Sequence, residues 1–331
     1  MSKLNYQKKW VQHLLVPATL AVFSQCSFAH TRLESPNVIQ GVKVHNRLNV
    51  GHGCSIDAIG TKGGSTFAQS AIFPNAVSYT PIIGVDSSAT GSTWNSATYT
   101  TQPASTFYSP LAGIGTLIRE DGAWPITLQK TDAAGNNDGF SAGGKAYDQT
   151  VSAGIQTSVA TAAITIPATS CARSVTFMLA VADICDITVP SAIATDKEVL
   201  YWSPIPNFAG VPGQPFGSAK GNSTSTNIAG GIPVGPAYSN YDGYTDAAHT
   251  IAGDGWASPA TLKVYRNITG TPATVANGVY TAALPANPLP PGCTGHGGLG
   301  DDVYVFPSAA QINAEMPIFS GVNQKGTLYW K

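Results

Sequence analysis

No stretch of this chain keeps a helical apolar repeat for three turns; its apolar residues come in short runs that end at glycine or proline. With 35 glycines and 23 prolines in 331 residues, long helices are broken before they can bury a face. Short extended runs tolerate such punctuation well. Val42–Val50 alternates, with Val42, Val44, Leu48 and Val50 apolar and Lys43, His45 and Arg47 between them. Thr66–Pro74 places Phe67, Ala71 and Phe73 on one face. Gly113–Glu120 and Trp124–Lys130 read as a hairpin closed by Asp121-Gly122. Val159–Pro167, Ser174–Ile187, Glu198–Trp202, Thr261–Arg266, Gly278–Ala283, Val303–Phe306 and Gly326–Trp330 continue the series. The best short helix is Ser308–Met316, with Ser308 as its N-cap. The pattern predicts an all-β fold, a β-sandwich of Ig-like or cupredoxin-like kind, with long loops and few short helices.

The start of the chain reads as a secretory leader over residues 1–29. Lys3, Lys8 and Lys9 precede a mainly apolar run, and Ser27-Phe28-Ala29 offers a small-residue cleavage site before His30. The run is too short to span a bilayer, which takes roughly 20 apolar residues. The expectation is a protein of the periplasm, the outer surface or the medium, with no transmembrane span. Residues 30–331 then form one large, mostly β domain. Any division falls in the Gly-, Pro-, Ser- and Asn-rich stretch 208–250, a long loop or linker. Without the leader lysines the basic side chains fall from 17 to 14 against 18 acidic ones, a net charge of −4. No basic stripe exists, so nucleic acid is not an expected partner. Charged residues make up only 11% of the chain, against about 25% for average soluble proteins. Ser and Thr take their place, as on the solvent faces of surface β-proteins.

Four cysteines follow the leader: Cys54, Cys171, Cys185 and Cys293. An even number in an exported chain favours two disulfides over a zinc site, and no Cys-x-x-Cys pair is present. Of three possible pairings, the reading favours Cys171–Cys185 across a hairpin, with Cys54–Cys293 as the second bridge. That second bridge would bring together two similar settings, Gly51-His52-Gly53-Cys54 and Cys293-Thr294-Gly295-His296-Gly297. His52 and His296 would then bridge a metal, with Asp301 and Asp302 orienting an imidazole. Cleavage before His30 would create a second site, because a free α-amine and an imidazole on one residue chelate through two nitrogens. The donor set and the Irving–Williams order favour copper there. His45 is the reserve ligand.

Asp132-Ala133-Ala134-Gly135-Asn136-Asn137-Asp138-Gly139 offers oxygens for calcium but lacks the alternation and closing Glu of an EF-hand, which favours a solvated turn. Gly139-Phe140-Ser141-Ala142-Gly143 fits a nucleophile elbow as a string, yet a turn-rich stretch precedes it. The same stretch nearly fits a phosphate loop, but Ala146 stands where Ser or Thr is needed. A glycine-rich loop is the favoured reading of both.

Ala29-His30-Thr31-Arg32-Leu33-Glu34-Ser35-Pro36, a strand, His52-Gly53-Cys54, and then Thr66-Phe67-Ala68-Gln69-Ser70-Ala71-Ile72-Phe73-Pro74 follow in order. This order resembles the start of YcnI-like exported copper-binding domains. The resemblance covers residues 29–74, and the rest of the chain is longer and departs from that family. It implies a β-sandwich that binds copper through the N-terminal histidine, here His30. A carboxylate and a tryptophan support the metal in that family, and Glu34 and Trp256 are the nearest counterparts. The chain is also similar to the copper-repressible surface proteins of methane-oxidising bacteria, the MopE/CorA type, in export, low-charge β-rich composition and histidine content.

Three functions follow as expectations. The first is an exported copper-binding protein for copper acquisition, storage or delivery, acting with other exported or outer-membrane proteins. The second is a histidine-brace copper monooxygenase, which would make hydrogen peroxide from oxygen and a reductant. The third is a metal-free structural or adhesive surface protein.

Overall fold

The computed structural model describes residues 31–50, 65–88, 97–109, 115–118, 123–147, 155–186, 197–201, 227–228, 232–233, 260–277, 279–308, 311 and 315. The first strands are β1 (Arg32–Leu33), β2 (Asn37–Ile39), β3 (Val44–Asn49), β4 (Ser65–Ile72), β5 (Ile82–Asp86) and β6 (Thr98–Thr100). Next come β7 (Gly115–Ile118), β8 (Ile126–Thr131), β9 (Asn137–Tyr147), β10 (Gln156–Thr161), β11 (Ala172–Met178), β12 (Ala180–Asp186) and β13 (Lys197–Tyr201). β14 (Asn227–Ile228), β15 (Ile232–Pro233), β16 (Thr261–Tyr265), β17 (Thr274–Ala276), β18 (Val279–Thr281) and β19 (Asp301–Phe306) complete them. One helical turn, α1 (Gly295–Gly298), precedes β19. The fold is all-β, with almost no helix.

Three sheets share one core. Their strand orders are β1-β3-β10-β7, β2-β16-β11-β19-β5-β6 and β13-β12-β4-β9-β8. Leu48 and Val159 enter the core from the first sheet, Val175, Phe177, Leu262 and Val303 from the second, and Phe73 and Phe140 from beside and within the third. In β16 Leu262 and Val264 point inward while Lys263 and Tyr265 face out, the alternation of a sheet with one wet face. β11 lies inside its sheet, between β16 and β19, and Val175 and Phe177 are both fully buried there.

β11 and β12 are laid nearly end to end. Leu179 stands between them, its N–H turned to Ala260 O at 2.9 Å, and the chain passes from the second sheet to the third. This corrects the expected pairing of Cys171 with Cys185. The run Ser174–Ile187 is no hairpin, so Cys171 and Cys185 lie toward opposite ends of two successive strands. A disulfide needs Cα atoms within about 7 Å. Cys171 is bonded instead to Cys293, with the Cα atoms 5.4 Å apart. The bridge rules out a zinc site of four thiolates, and it removes the expected Cys54–Cys293 bond.

A second correction concerns Gly113–Glu120 and Trp124–Lys130. β7 pairs with β10 in the first sheet, and β8 pairs with β9 in the third. Trp124 explains the divergence. Its ring is buried, and its Nε1–H donates to Thr157 Oγ1 of β10 at 2.8 Å, while that hydroxyl donates to Gln69 Oε1 of β4 at 2.9 Å. Burying the indole turns the chain from one sheet to the next. The stretch Gly139–Gly143 is a third correction: it lies inside β9, paired on both sides, and forms neither a loop nor an elbow. Gly139 is required there, because a Cβ would sit 2.4 Å from Ala71 O.

The helix expected at Ser308–Met316 is present at its described positions, Gln311 and Glu315. Ser308 caps it, accepting the Gln311 N–H at 3.2 Å. Of the stretch Asp132–Gly139, residues Asp132–Asn136 form the turn from β8 into β9 and Asn137–Gly139 begin β9. The Asp132 carboxylate accepts the N–H groups of Ala134 and Asn136 and the Asn136 side-chain amide, so its oxygens serve the turn itself. Gly326–Trp330 lies outside the described residues, as does most of 208–250.

Candidate functional site

Two places gather the expected site residues. The first is a corner of the first sheet, where β1 joins β3 with Arg32 opposite Asn49 and Leu33 opposite Leu48. The Glu34 N–H extends the pairing to Arg47 O at 2.8 Å. β10 holds the other edge of β3, with Gln156 opposite Asn49 and the Val50 N–H on Ile155 O at 3.0 Å. Thr31 and Val50, each 1% exposed, stand one step beyond the Arg32–Asn49 pair. Thr31 is the residue after His30, and Val50 lies two before His52. Asn49 Oδ1 is buried at this corner without a donor among the described residues. His30, His52, Cys54 and Trp256 themselves lie outside the described residues.

His45 projects into solvent from β3. It is five residues from Val50, or about 16 Å along a strand, too far to share an ion with a ligand beyond Val50. Glu34 pairs with Arg47 at 3.7 Å, both side chains about half exposed.

The second place is the turn that carries His296. His296 takes a left-handed backbone (φ 48°), followed by Gly297 at 69° and Gly298 at 94°. Its glycine neighbours are set by close packing. A Cβ on Gly295 would lie 1.9 Å from Asp301 Oδ1, and one on Gly300 would lie 2.7 Å from Cys171 O. The His296 N–H donates to Ser87 O at 3.0 Å, and its buried ring places Nε2 2.9 Å from Asp86 O. That contact assigns the proton to Nε2, because a carbonyl can only accept. Asp302 Oδ2 stands 3.7 Å from the same nitrogen.

Asp302 is engaged elsewhere as well. Arg173 donates to its Oδ2 at 2.6 Å, Ser174 donates to its Oδ1, and Lys263 Nζ lies 3.7 Å from Oδ1. The hydrogen bond to Asp302 raises the Arg173 pKa and holds the guanidinium charged. Asp301 does not reach the imidazole; its Oδ1 accepts the Ser87 hydroxyl at 2.6 Å. Arg266 ties the surrounding loops together. Its buried guanidinium donates to the carbonyls of Pro167, Ser170, Ala172 and Pro288. The chain segments leading into Cys171 and toward Cys293 are therefore clamped twice, once by the guanidinium and once by the disulfide.

The sequence reading groups His296 with Asp301 and Asp302; of the two carboxylates, only Asp302 approaches the imidazole, while Asp301 turns to Ser87. The reading missed Asp86, Arg173, Ser174 and Lys263, which come from three strands, β5, β11 and β16, and carry no local motif. No group of three His, Cys, Asp or Glu side chains suited to a metal occurs among the described residues. Comparison with protein families, curated proteins and solved structures gives no match for this chain.

Proposed function

We propose that the protein is an exported copper binder whose metal sits at the corner of β1 and β3. The ligands are the α-amine and imidazole of His30, once cleavage makes it the first residue, together with His52. The observation that carries this reading is the β1–β3 register. It brings the chain positions leading to His30 and to His52 side by side, a role the disulfide no longer plays. The orphaned Asn49 Oδ1 supports it, since a buried acceptor calls for a donor supplied from outside the described residues. Two nitrogens in one chelate ring plus a second imidazole suit copper above the other divalent first-row ions. The amine must lose its proton to bind, so uptake weakens as pH falls below its usual range of about 7.7–8.0.

His296 has a different task in this reading. Its Nε2–H is committed to Asp86 O inside the clamped loops, and it helps to shape the turn. The test is intact mass and copper content of the protein purified from its exported fraction. The expected result is a chain starting at His30 with one copper, lost in His30→Ala and in His52→Ala and retained in His45→Ala and His296→Ala. A chain that starts elsewhere, or one that ignores added Cu(I) and Cu(II), overturns the proposal and leaves the metal-free surface protein. Peroxide production with copper, oxygen and a reductant would instead identify the monooxygenase.

A further inference from the structure

A cleft of about 790 Å³ opens beside the edge strand β6, next to the His296 turn. Its volume falls within the roughly 300–1,000 Å³ of small-ligand sites. Ser87, Ser88, Tyr99, Gln102, Phe107 and Asp301 shape its walls, which carry no Lys, Arg or His among the described residues. We propose that this cleft binds a neutral, hydroxyl-rich ligand, a short uncharged oligosaccharide.

Four features point to that class. Asp301 is fixed through Oδ1 by the Ser87 hydroxyl, which leaves Oδ2 without a hydrogen-bond donor among the described residues. A carboxylate oxygen held in this way accepts hydroxyl donors strongly. Ser88 Oγ is buried and has no partner among the described residues, an unmet hydroxyl that a ligand group can satisfy. The Gln102 side chain is exposed and makes no hydrogen bond among the described residues, so both ends of its amide are offered. Tyr99 gives an aromatic surface; its ring packs tilted on Phe306 at 6.4 Å, and burial pushes its hydroxyl up to about 12. A carboxylate without a facing cation rejects phosphates and acidic sugars. The apolar share of the wall, Tyr99, Phe107 and the Cys171 end of the disulfide, suits the C–H face of a sugar ring.

The disulfide and Arg266 make this a built site. Asp301 begins β19, directly after the clamped turn, and its own N–H donates to Cys171 O at 2.9 Å. The carboxylate is therefore set in place before any ligand arrives.

The test uses the full mature chain with a chelator present, which separates the outcome from the copper proposal. Neutral trisaccharides of glucose, galactose or mannose, and one trisaccharide containing a uronic acid, are examined by saturation-transfer NMR and titration calorimetry. At least one neutral trisaccharide is expected to bind, and the acidic one is not. Asp301→Asn is expected to weaken binding about tenfold, in keeping with a lost charge-assisted hydrogen bond. Gln102→Ala, a surface change that leaves folding intact, is expected to weaken it by a smaller factor. The proposal is overturned if no neutral trisaccharide binds at millimolar concentration, if the acidic one binds equally well, or if Gln102→Ala and Asp301→Asn both keep full affinity.

Discussion

Asp302 and Asp138 are buried to nearly the same degree, 1% and 2% exposed, yet their neighbours treat them in opposite ways. Asp302, on β19, is met by Arg173, Lys263 and Ser174. Asp138, on β9, is met by Asn75 Nδ2 at 2.6 Å and by a second acid, Glu315, on the helix after Ser308. Asp138 Oδ1 has no N–H or hydroxyl donor among the described residues. Glu315 stands close enough to hydrogen-bond to the Asp138 carboxyl and share a proton with it. Burial raises both carboxyls, Glu315 to about 7. Nearby Lys130, whose Nζ donates to Ser70 Oγ at 2.5 Å, is pushed down to about 7 by burial. Equal burial thus gives an ion-paired carboxylate in one place and a proton-sharing pair in the other. The partner that packing delivers, and not depth, sets the charge state.

The largest expected effect tests the clamped side of this comparison. Cys171→Ser with Cys293→Ser should lower stability by about 3–5 kcal/mol, since the bridge closes a loop of 122 residues. Thermal unfolding without reductant measures it, and a loss below 1 kcal/mol would show that Arg266 alone suffices to hold these loops. Next, Arg173→Met removes the closest cation from Asp302 and should cost about 2–3 kcal/mol, somewhat under the full penalty of a broken buried pair because Lys263 remains. Urea unfolding reads that value.

The pH profile sharpens the comparison from the other side. The folded pKa of Glu315 is raised from 4.5 to about 7, so the folded state holds the proton more tightly and stability falls as pH rises through that window. The folded pKa of Lys130 is lowered from 10.5 to about 7, so the unfolded state binds more protons above 7 and stability rises there. A trough near pH 7 is the expected outcome. Glu315→Gln should flatten its acidic limb by about 1–2 kcal/mol, allowing for the partial exposure of Glu315. A melting temperature that climbs steadily from pH 4.5 to 7 would refute the shared proton. The smallest effect is reserved for Arg47→Ala. Its pair with Glu34 is half in water, and the change should cost under about 0.5 kcal/mol.

Much of the strand pattern was legible because burial on one face of a sheet writes a period of two into the chain. β3 shows it plainly: Asn46 and Leu48 are inside, His45 and Arg47 outside. The Ser308 cap was legible too, since a cap is a contact between residues three apart. The hairpin at Asp121-Gly122 failed for a reason no local pattern holds. The buried Trp124 reaches Thr157, 33 residues away, and sends β7 and β8 to different sheets.

The site divides along the same line. His296, Asp301 and Asp302 could be read together because they are neighbours in the chain. Asp86 and Arg173 meet them only because β5 and β11 both pair with β19. The expected disulfides failed because a hairpin and a sheet-to-sheet step share one sequence signature: an extended run with a cysteine near each end.

The sequence by itself determined the all-β class and the positions of strands that bury one face, such as β3 and β16. These follow from side-chain size, backbone freedom and the two-residue period. Only the tertiary structure decided which cysteines bond, which acids meet a cation and which meet another acid. Those outcomes depend on contacts between residues 39 to 177 positions apart in the chain, such as Lys263 with Asp302 and Asp138 with Glu315. The chain fixes such contacts only when sheets pack, because an unsatisfied buried polar group takes whatever partner the packing brings within reach.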